Sequence, residues 1–251
     1  MAKLCALTDY LDRELRLREI PDYPGAMNGL QIENQGEIKK IGAAVDASLP
    51  VFEKAIGEGV DLLLVHHGMF WQGAQPLTGS FYKKIKLALD AGMAVYSAHI
   101  PLDVHPVWGN NQQLANAIGM HESEPFFDWK GIQLGLCQEM TTSLTDLVSS
   151  MENAVSGKVH LCNGGSDRAG RVGIITGGAG SEVAAIASCG IETFITGEGP
   201  HWSFSMAEEL GINVIYGGHY ATEVFGVMAL SAHLQRHFDV GTCFLDHPTG
   251  L

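Results

Sequence analysis

Two stretches of this chain repeat one another without a gap, and that repeat restricts the fold more than any other feature of the sequence. Ile41-Gly42 falls on Val172-Gly173, Gly59-Val60 on Gly190-Ile191, Gly68 on Gly199 and Trp71 on Trp202, each pair 131 positions apart. Further on, Tyr96-Ser97-Ala98-His99 falls on Tyr216-Gly217-Gly218-His219 at 120 positions, so the second copy lacks most of the loop around Gln72–Gly79. Glycine and aliphatic matches arise by chance between ordinary βαβ units. The shared His-x-x-x-acid spacing, His99 to Asp103 and His219 to Glu223, is harder to obtain that way.

Each copy reads β-α-β-α-β. In the first, Ile41–Val45, Asp61–Val65 and Ala94–Ala98 are short apolar runs, separated by helical stretches over Pro50–Gly57 and Ser80–Ala91. In the second, Val172–Thr176, Thr193–Ile195 and Val214–Tyr216 alternate with helices over Ser181–Ser188 and His201–Leu210, with Pro200 and Gly211 in start and stop positions. That order predicts an α/β protein with parallel strands, built as two similar layered lobes over residues 1–125 and 126–251 that form one metal-binding unit. Met1–Arg18 reads as an amphipathic helix, with Leu4, Leu7, Leu11 and Leu15 on one face, and not as a signal peptide.

At 251 residues and 46% hydrophobic content the chain can bury one or two sizeable cores. Lys and Arg number 15 against 28 Asp plus Glu, a formal charge of -13 that repels a phosphate backbone or an anionic membrane. Nucleic-acid binding is therefore disfavoured. No apolar run reaches the roughly 20 residues of a membrane span. The five cysteines are scattered and form no CxxC pair, which fits a reducing compartment, so the cytoplasm is the expected location.

The sharpest local signal is Leu62-Leu63-Leu64-Val65-His66-His67-Gly68, an apolar run ending in two histidines. Ligands of open α/β sheets gather at the carboxyl ends of strands. Successive residues of a strand point to opposite sides, so His66 and His67 suit two neighbouring ions better than one. His99 to Asp103 and His219 to Glu223 end two further strands of the same kind, and Glu223 is expected in the first turn of an apolar helix over Val224–Leu234. Imidazoles plus carboxylates favour a borderline divalent ion (Zn, Mn, Fe, Co or Ni) over Ca. Two ions about 3.5–4 Å apart acidify water and clamp reacting oxygens, which points to hydrolysis.

At these residues the sequence resembles the NGG-interacting-factor-three-like family, also known as the GTP cyclohydrolase 1 type 2 family. The matching blocks are Asn28-Gly29-Leu30-Gln31, Val65-His66-His67-Gly68, His99-Ile100-Pro101-Leu102-Asp103, Thr196-Gly197-Glu198-Gly199-Pro200-His201 and Gly218-His219-Tyr220-Ala221-Thr222-Glu223, in order over most of the chain. The resemblance implies two interlocked α/β lobes around a dinuclear metal centre held by His66, His67, Asp103, His219 and Glu223, and a homohexamer. It also implies a purine nucleotide, GTP under the family name, as the small-molecule substrate. Pro24-Gly25-Ala26-Met27 stands where many members carry Trp-Asp before the Asn, so the contacts of that loop differ.

Glu198 and His201 align with His67 and Phe70 of the first copy and are the candidate catalytic residues, as general base and proton donor. His99 either orients Asp103 or a bound water or has a plain structural role, and Asp46 is either near the site or a turn residue. Thr176-Gly177-Gly178-Ala179-Gly180-Ser181 lacks the Lys of a P-loop and reads better as a tight turn than as a phosphate cradle. The two functions left open are a metal-dependent hydrolase of a purine nucleotide or phosphoester, and a non-catalytic metal-binding or scaffold protein.

Overall fold

A computed structural model describes residues 1–251 and divides them into two units. The first comprises Met1–Trp108 with Gly226–His247, the second Gly109–Phe225 with Pro248–Leu251. The division near residue 125 read from the sequence is thus displaced, and the tail is exchanged. The reason is packing. Val227, Leu230 and Leu234 of the last helix (His219–Phe238) belong to the core of the first unit, and the Gly241–Phe244 strand pairs in parallel with Lys40–Asp46.

The first unit is a five-stranded sheet in the order Gly241–Phe244, Lys40–Asp46, Leu62–His67, Ala94–Ser97, Gly29–Ile32. The first four strands are parallel and Gly29–Ile32 is antiparallel. Its central strands are apolar throughout because both faces are covered. Leu62, Leu64 and Tyr96 face Leu4, Leu7 and Leu11 of the Leu4–Glu14 helix together with Leu230. Leu63, Val65 and Val95 face Val51, Phe52 and Ala88 of the helices Leu49–Gly57 and Gly79–Ala91. Truncating one such leucine to alanine costs about 2–5 kcal/mol. The N-terminal helix is shorter than the periodicity suggested: Ala2–Lys3 pair with Glu37–Ile38, and a left-handed Arg16 (φ 52°) ends the helical run.

The second unit has six strands in the order Glu124–Trp129, Ile132–Ser143, Arg168–Ile174, Thr193–Thr196, Asn213–Tyr216, His160–Asn163. Arg168–Ile174, Thr193–Thr196 and Asn213–Tyr216 run parallel, with antiparallel strands outside them. Val172, Ile174, Ile195 and Ile215 face Leu114, Leu144, Leu147 and Met151 of the helices Asn110–Ala117 and Leu144–Ala154. The helix expected over Ser181–Ser188 is a 3-10 turn, Ala179–Glu182, followed by Val183–Ser188, with Gly180 N donating to Glu198 O.

The first strand pair keeps one register in both units: Ile41 lies opposite Leu62, and Val172 opposite Thr193, each 131 positions on. The third strand does not follow the sequence alignment. Leu64 pairs with Tyr96, whereas its counterpart Ile195 pairs with Ile215, not Tyr216. A shift of one residue reverses the face of every side chain. Accordingly Tyr96 is fully buried with its hydroxyl donating to Asp12, while Tyr216 turns to the other face and meets Ser203.

Candidate metal centre

In the first unit the adjacent strands Lys40–Asp46, Leu62–His67 and Ala94–Ser97 end side by side, and their ends hold three imidazoles. His66 Nδ1 lies 2.8 Å from Ala98 O, and His67 Nδ1 lies 2.8 Å from Asp46 Oδ1. His99 Nδ1 lies 2.9 Å from Asp22 Oδ1. A carbonyl or carboxylate oxygen only accepts, so each Nδ1 carries a hydrogen, which leaves Nε2 as the nitrogen able to ligate a metal. This is the arrangement that orients metal-binding histidines and raises their basicity.

The tethers also explain why the expectation of opposed side chains for His66 and His67 fails at the strand end. Each ring is tied to the end of a different flanking strand. Their centroids sit 4.8 Å apart, and His99 lies 4.9 Å from His66 and 5.5 Å from His67. One ligand atom from each of the three rings lies within 4.8 Å of the others. Asp103 returns to this cluster because the short helix Ile100–Asp103 turns the chain back, and its Oδ1 is 3.5 Å from His66 Nε2.

That turn rests on Asp22, which the sequence did not single out, and on the block that begins at Asn28. Asp22 Oδ2 accepts from Ile100 N at 3.0 Å and from Asn28 Nδ2 at 2.8 Å, while Asn28 Oδ1 accepts from His99 N at 2.7 Å. Burial pushes the Asp22 carboxyl up, but the His99 imidazole and the other donors outweigh it and hold it below the usual Asp value. Gln31 accepts from Met69 N and donates to Ala26 O and Met27 O, knitting the loop after His67 to the loop after Asp22. The block Asn28–Gln31 was the only sequence signal for this network.

The second unit presents an imidazole between two carboxylates. His219 opens the last helix, and Glu223 follows one turn later on the same face, with Oε1 3.2 Å from His219 Nε2. Because the helix starts at His219, Glu223 lies beyond the first turn expected for it. Glu198, just past the Thr193–Thr196 strand, accepts from His219 Nδ1 at 2.8 Å. Burial works against the charged ring, but Glu223 and then Glu198 raise the His219 pKa to about 9. A proton therefore occupies the nitrogen that faces Glu223, where a cation is favoured.

Gly177 forms the floor under Glu223. Its carbonyl accepts from Gly197 N and Glu198 N, its N–H donates to Thr222 Oγ1, and its φ is 71°. A Cβ at this position would overlap Glu223 Oε1, so only glycine fits. The glycine run is therefore a turn that seats Glu223. His201 is exposed at the start of the Trp202–Leu210 helix, where it lines a cavity of about 460 Å³ together with Glu198.

The arrangement coincides with a full-length family match, to the model of Duf34/NIF3 (NGG1p interacting factor 3), over residues 3–249. The chain belongs to the Duf34/NIF3 family. A protein of Deinococcus radiodurans named GTP cyclohydrolase 1 type 2 homolog is 40% identical over 98% of this chain and 93% of its own length. One of the same name from Pyrococcus abyssi is 38% identical over 98% of both chains. The crystal structure of TTHA1606 from Thermus thermophilus superposes with a TM-score of 0.89 at 38% identity, covering 99% of this chain and 100% of that one. Like those relatives, this Duf34/NIF3 member is an α/β protein; it carries His, Asp and Glu groups able to hold a metal ion, and no helix in it is long and apolar enough to cross a membrane.

Proposed function

We propose that this protein is a metal-dependent hydrolase whose metal ligands are His66, His67, Asp103, His219 and Glu223. The observation that carries the reading is the tethering of His66, His67 and His219 at Nδ1 by an oxygen acceptor, with buried Asp103 and Glu223 facing the Nε2 atoms of His66 and His219. Such donors fit two borderline divalent ions, Zn, Mn, Fe, Co or Ni. A pair of such ions, when bound, would supply an acidified water and stabilise negative charge on the reacting group.

Asp46 and Glu198 fix the imidazoles of His67 and His219, and His201, exposed on the cavity wall, moves the proton. The name shared by the relatives supports a purine nucleotide over a simple phosphoester. The common register of the first strand pair supports a duplication of the α/β lobe. The resemblance adds a homohexamer, and five free cysteines suit the cytoplasm.

Elemental analysis of the purified protein, followed by a screen of nucleotides and phosphoesters with each metal, tests the proposal. Two equivalents per chain with turnover that collapses in His201→Asn at unchanged metal content is the expected result. Two equivalents without turnover on any substrate would favour a metal-binding or scaffold protein, a reading supported by the near-neighbour imidazoles themselves.

A further inference from the structure

Beside His219 the second unit bears the open cavity of about 460 Å³, walled by His160, Phe204 and Tyr216 and edged by Glu198, His201 and Ser203. Its size suits a small ligand. Hydrogen bonds hold the Tyr216 side of the wall in place. Ser203 Oγ donates to Pro200 O at 2.6 Å, so the Tyr216 hydroxyl, 2.7 Å away, donates to Ser203. A Cβ on Gly199 would meet Ser203 Oγ at 2.8 Å and Tyr216 Cε1 at 3.0 Å, so bare backbone closes that side. The His160 ring stands 5.6 Å from Phe204 and 6.1 Å from Tyr216.

Besides the imidazoles of His160 and His201, the cavity is charged by an acid alone. Its lining contains no Lys or Arg, and its one carboxylate, Glu198, is 47% exposed. Glu198 Oε1 takes one hydrogen from His219, and a carboxylate offers about four lone-pair directions, so it has acceptor capacity toward the cavity. A phosphate or carboxylate placed here would meet that acid with no Lys or Arg in the lining to bind it. Flat faces plus a single acid instead match a planar group with neighbouring N–H donors, which a carboxylate binds in parallel pairs.

We propose that this cavity is the subsite for a flat group bearing two adjacent N–H donors, an amidine, a guanidine or an amino-oxo ring edge, and that any anionic part of the same molecule lies outside it. The inference rests on the hydrolase reading only in taking that molecule to be the one acted on beside His219.

Calorimetric titration of the metal-free protein with benzamidine, benzoate and guanosine tests the subsite, with metal content measured in parallel on the same preparations. Benzamidine and guanosine should bind, and benzoate, of the same shape and opposite charge, at least about tenfold more weakly. Phe204→Ala should weaken benzamidine about tenfold and leave the metal equivalents unchanged. His160→Ala, at an exposed position, should act in the same direction and guards against a folding defect in Phe204→Ala. Equal binding of benzoate, binding indifferent to both variants, or no binding of benzamidine and guanosine would overturn the assignment. Benzamidine binding in a protein that holds no metal would sink the hydrolase reading and leave the subsite standing.

Discussion

Removing the Asp22 carboxylate should loosen the turn that carries His99 and Asp103. The side chain is 8% exposed and accepts from Tyr23 N, His99 Nδ1, Asn28 Nδ2 and Ile100 N at 2.6, 2.9, 2.8 and 3.0 Å. Asp22→Ala leaves those four donors without their acceptor, at roughly 1–3 kcal/mol for each that stays buried and about 3–5 kcal/mol together. Asp22→Asn keeps one oxygen for His99 and Tyr23 but turns an amide toward Ile100 N and Asn28 Nδ2, costing about 2 kcal/mol. Amide hydrogen exchange reads the loss locally. Protection of the Ile100 and His99 amides should fall by about 10²- to 10³-fold in Asp22→Ala at about pH 7, at tenfold per 1.4 kcal/mol. The folded-state pKa of Asp22 is depressed, so the stabilisation is complete above the ordinary value of 3.8 and disappears as pH falls through the lower folded value. The gap between wild type and Asp22→Ala should close in that acid window. Unchanged exchange in both variants, or a gap independent of pH, would refute the assigned role.

Gly177→Ala and Gly190→Ala make a matched pair, since both positions have positive φ, 71° and 76°, but a Cβ at 177 overlaps Glu223 Oε1 whereas one at 190 meets nothing within 4 Å. Thermal unfolding should show about 1 kcal/mol lost at 190 and more at 177, and elemental analysis should show metal lost only at 177. Asp46→Asn, which disturbs the partner of His67 Nδ1, should weaken metal binding about 10- to 100-fold with the ligands intact, as read by competition with a chelating dye. The raised His219 pKa has two consequences: metal must displace a proton, so affinity should climb with pH up to about 9 and then level, and calorimetry in buffers of different ionisation heat should count one proton released. In the metal-free protein the stability contributed by His219 is full below about pH 6.5 and lost as pH rises through about 9, a dependence absent from His219→Gln.

The parallel strands were legible because burial on both faces makes them continuous apolar runs, and the two histidines closing Leu62–Val65 were legible because polarity returns where a strand leaves the sheet. His99, Asp103, His219 and Glu223 stood out by a shared spacing that a helix turns into proximity, 3.2 Å for His219 and Glu223. Asp22 was invisible, lying 77 residues from the ring it holds, and so was the Ala98 carbonyl, which has no side-chain signature at all. Tyr216 misled by matching Tyr96 in sequence while its strand pairs one residue out of step.

From residue order alone came the parallel α/β class, the family and the donor types, since each is written in local periodicity and short motifs. Tertiary structure alone decided that Gly226–His247 completes the first unit, which nitrogen of each histidine is tethered, and that Glu198 serves as the acceptor for His219. Hydrogen bonds and close packing between segments far apart in the chain have no period to read, and they exist only once the strands have found their register.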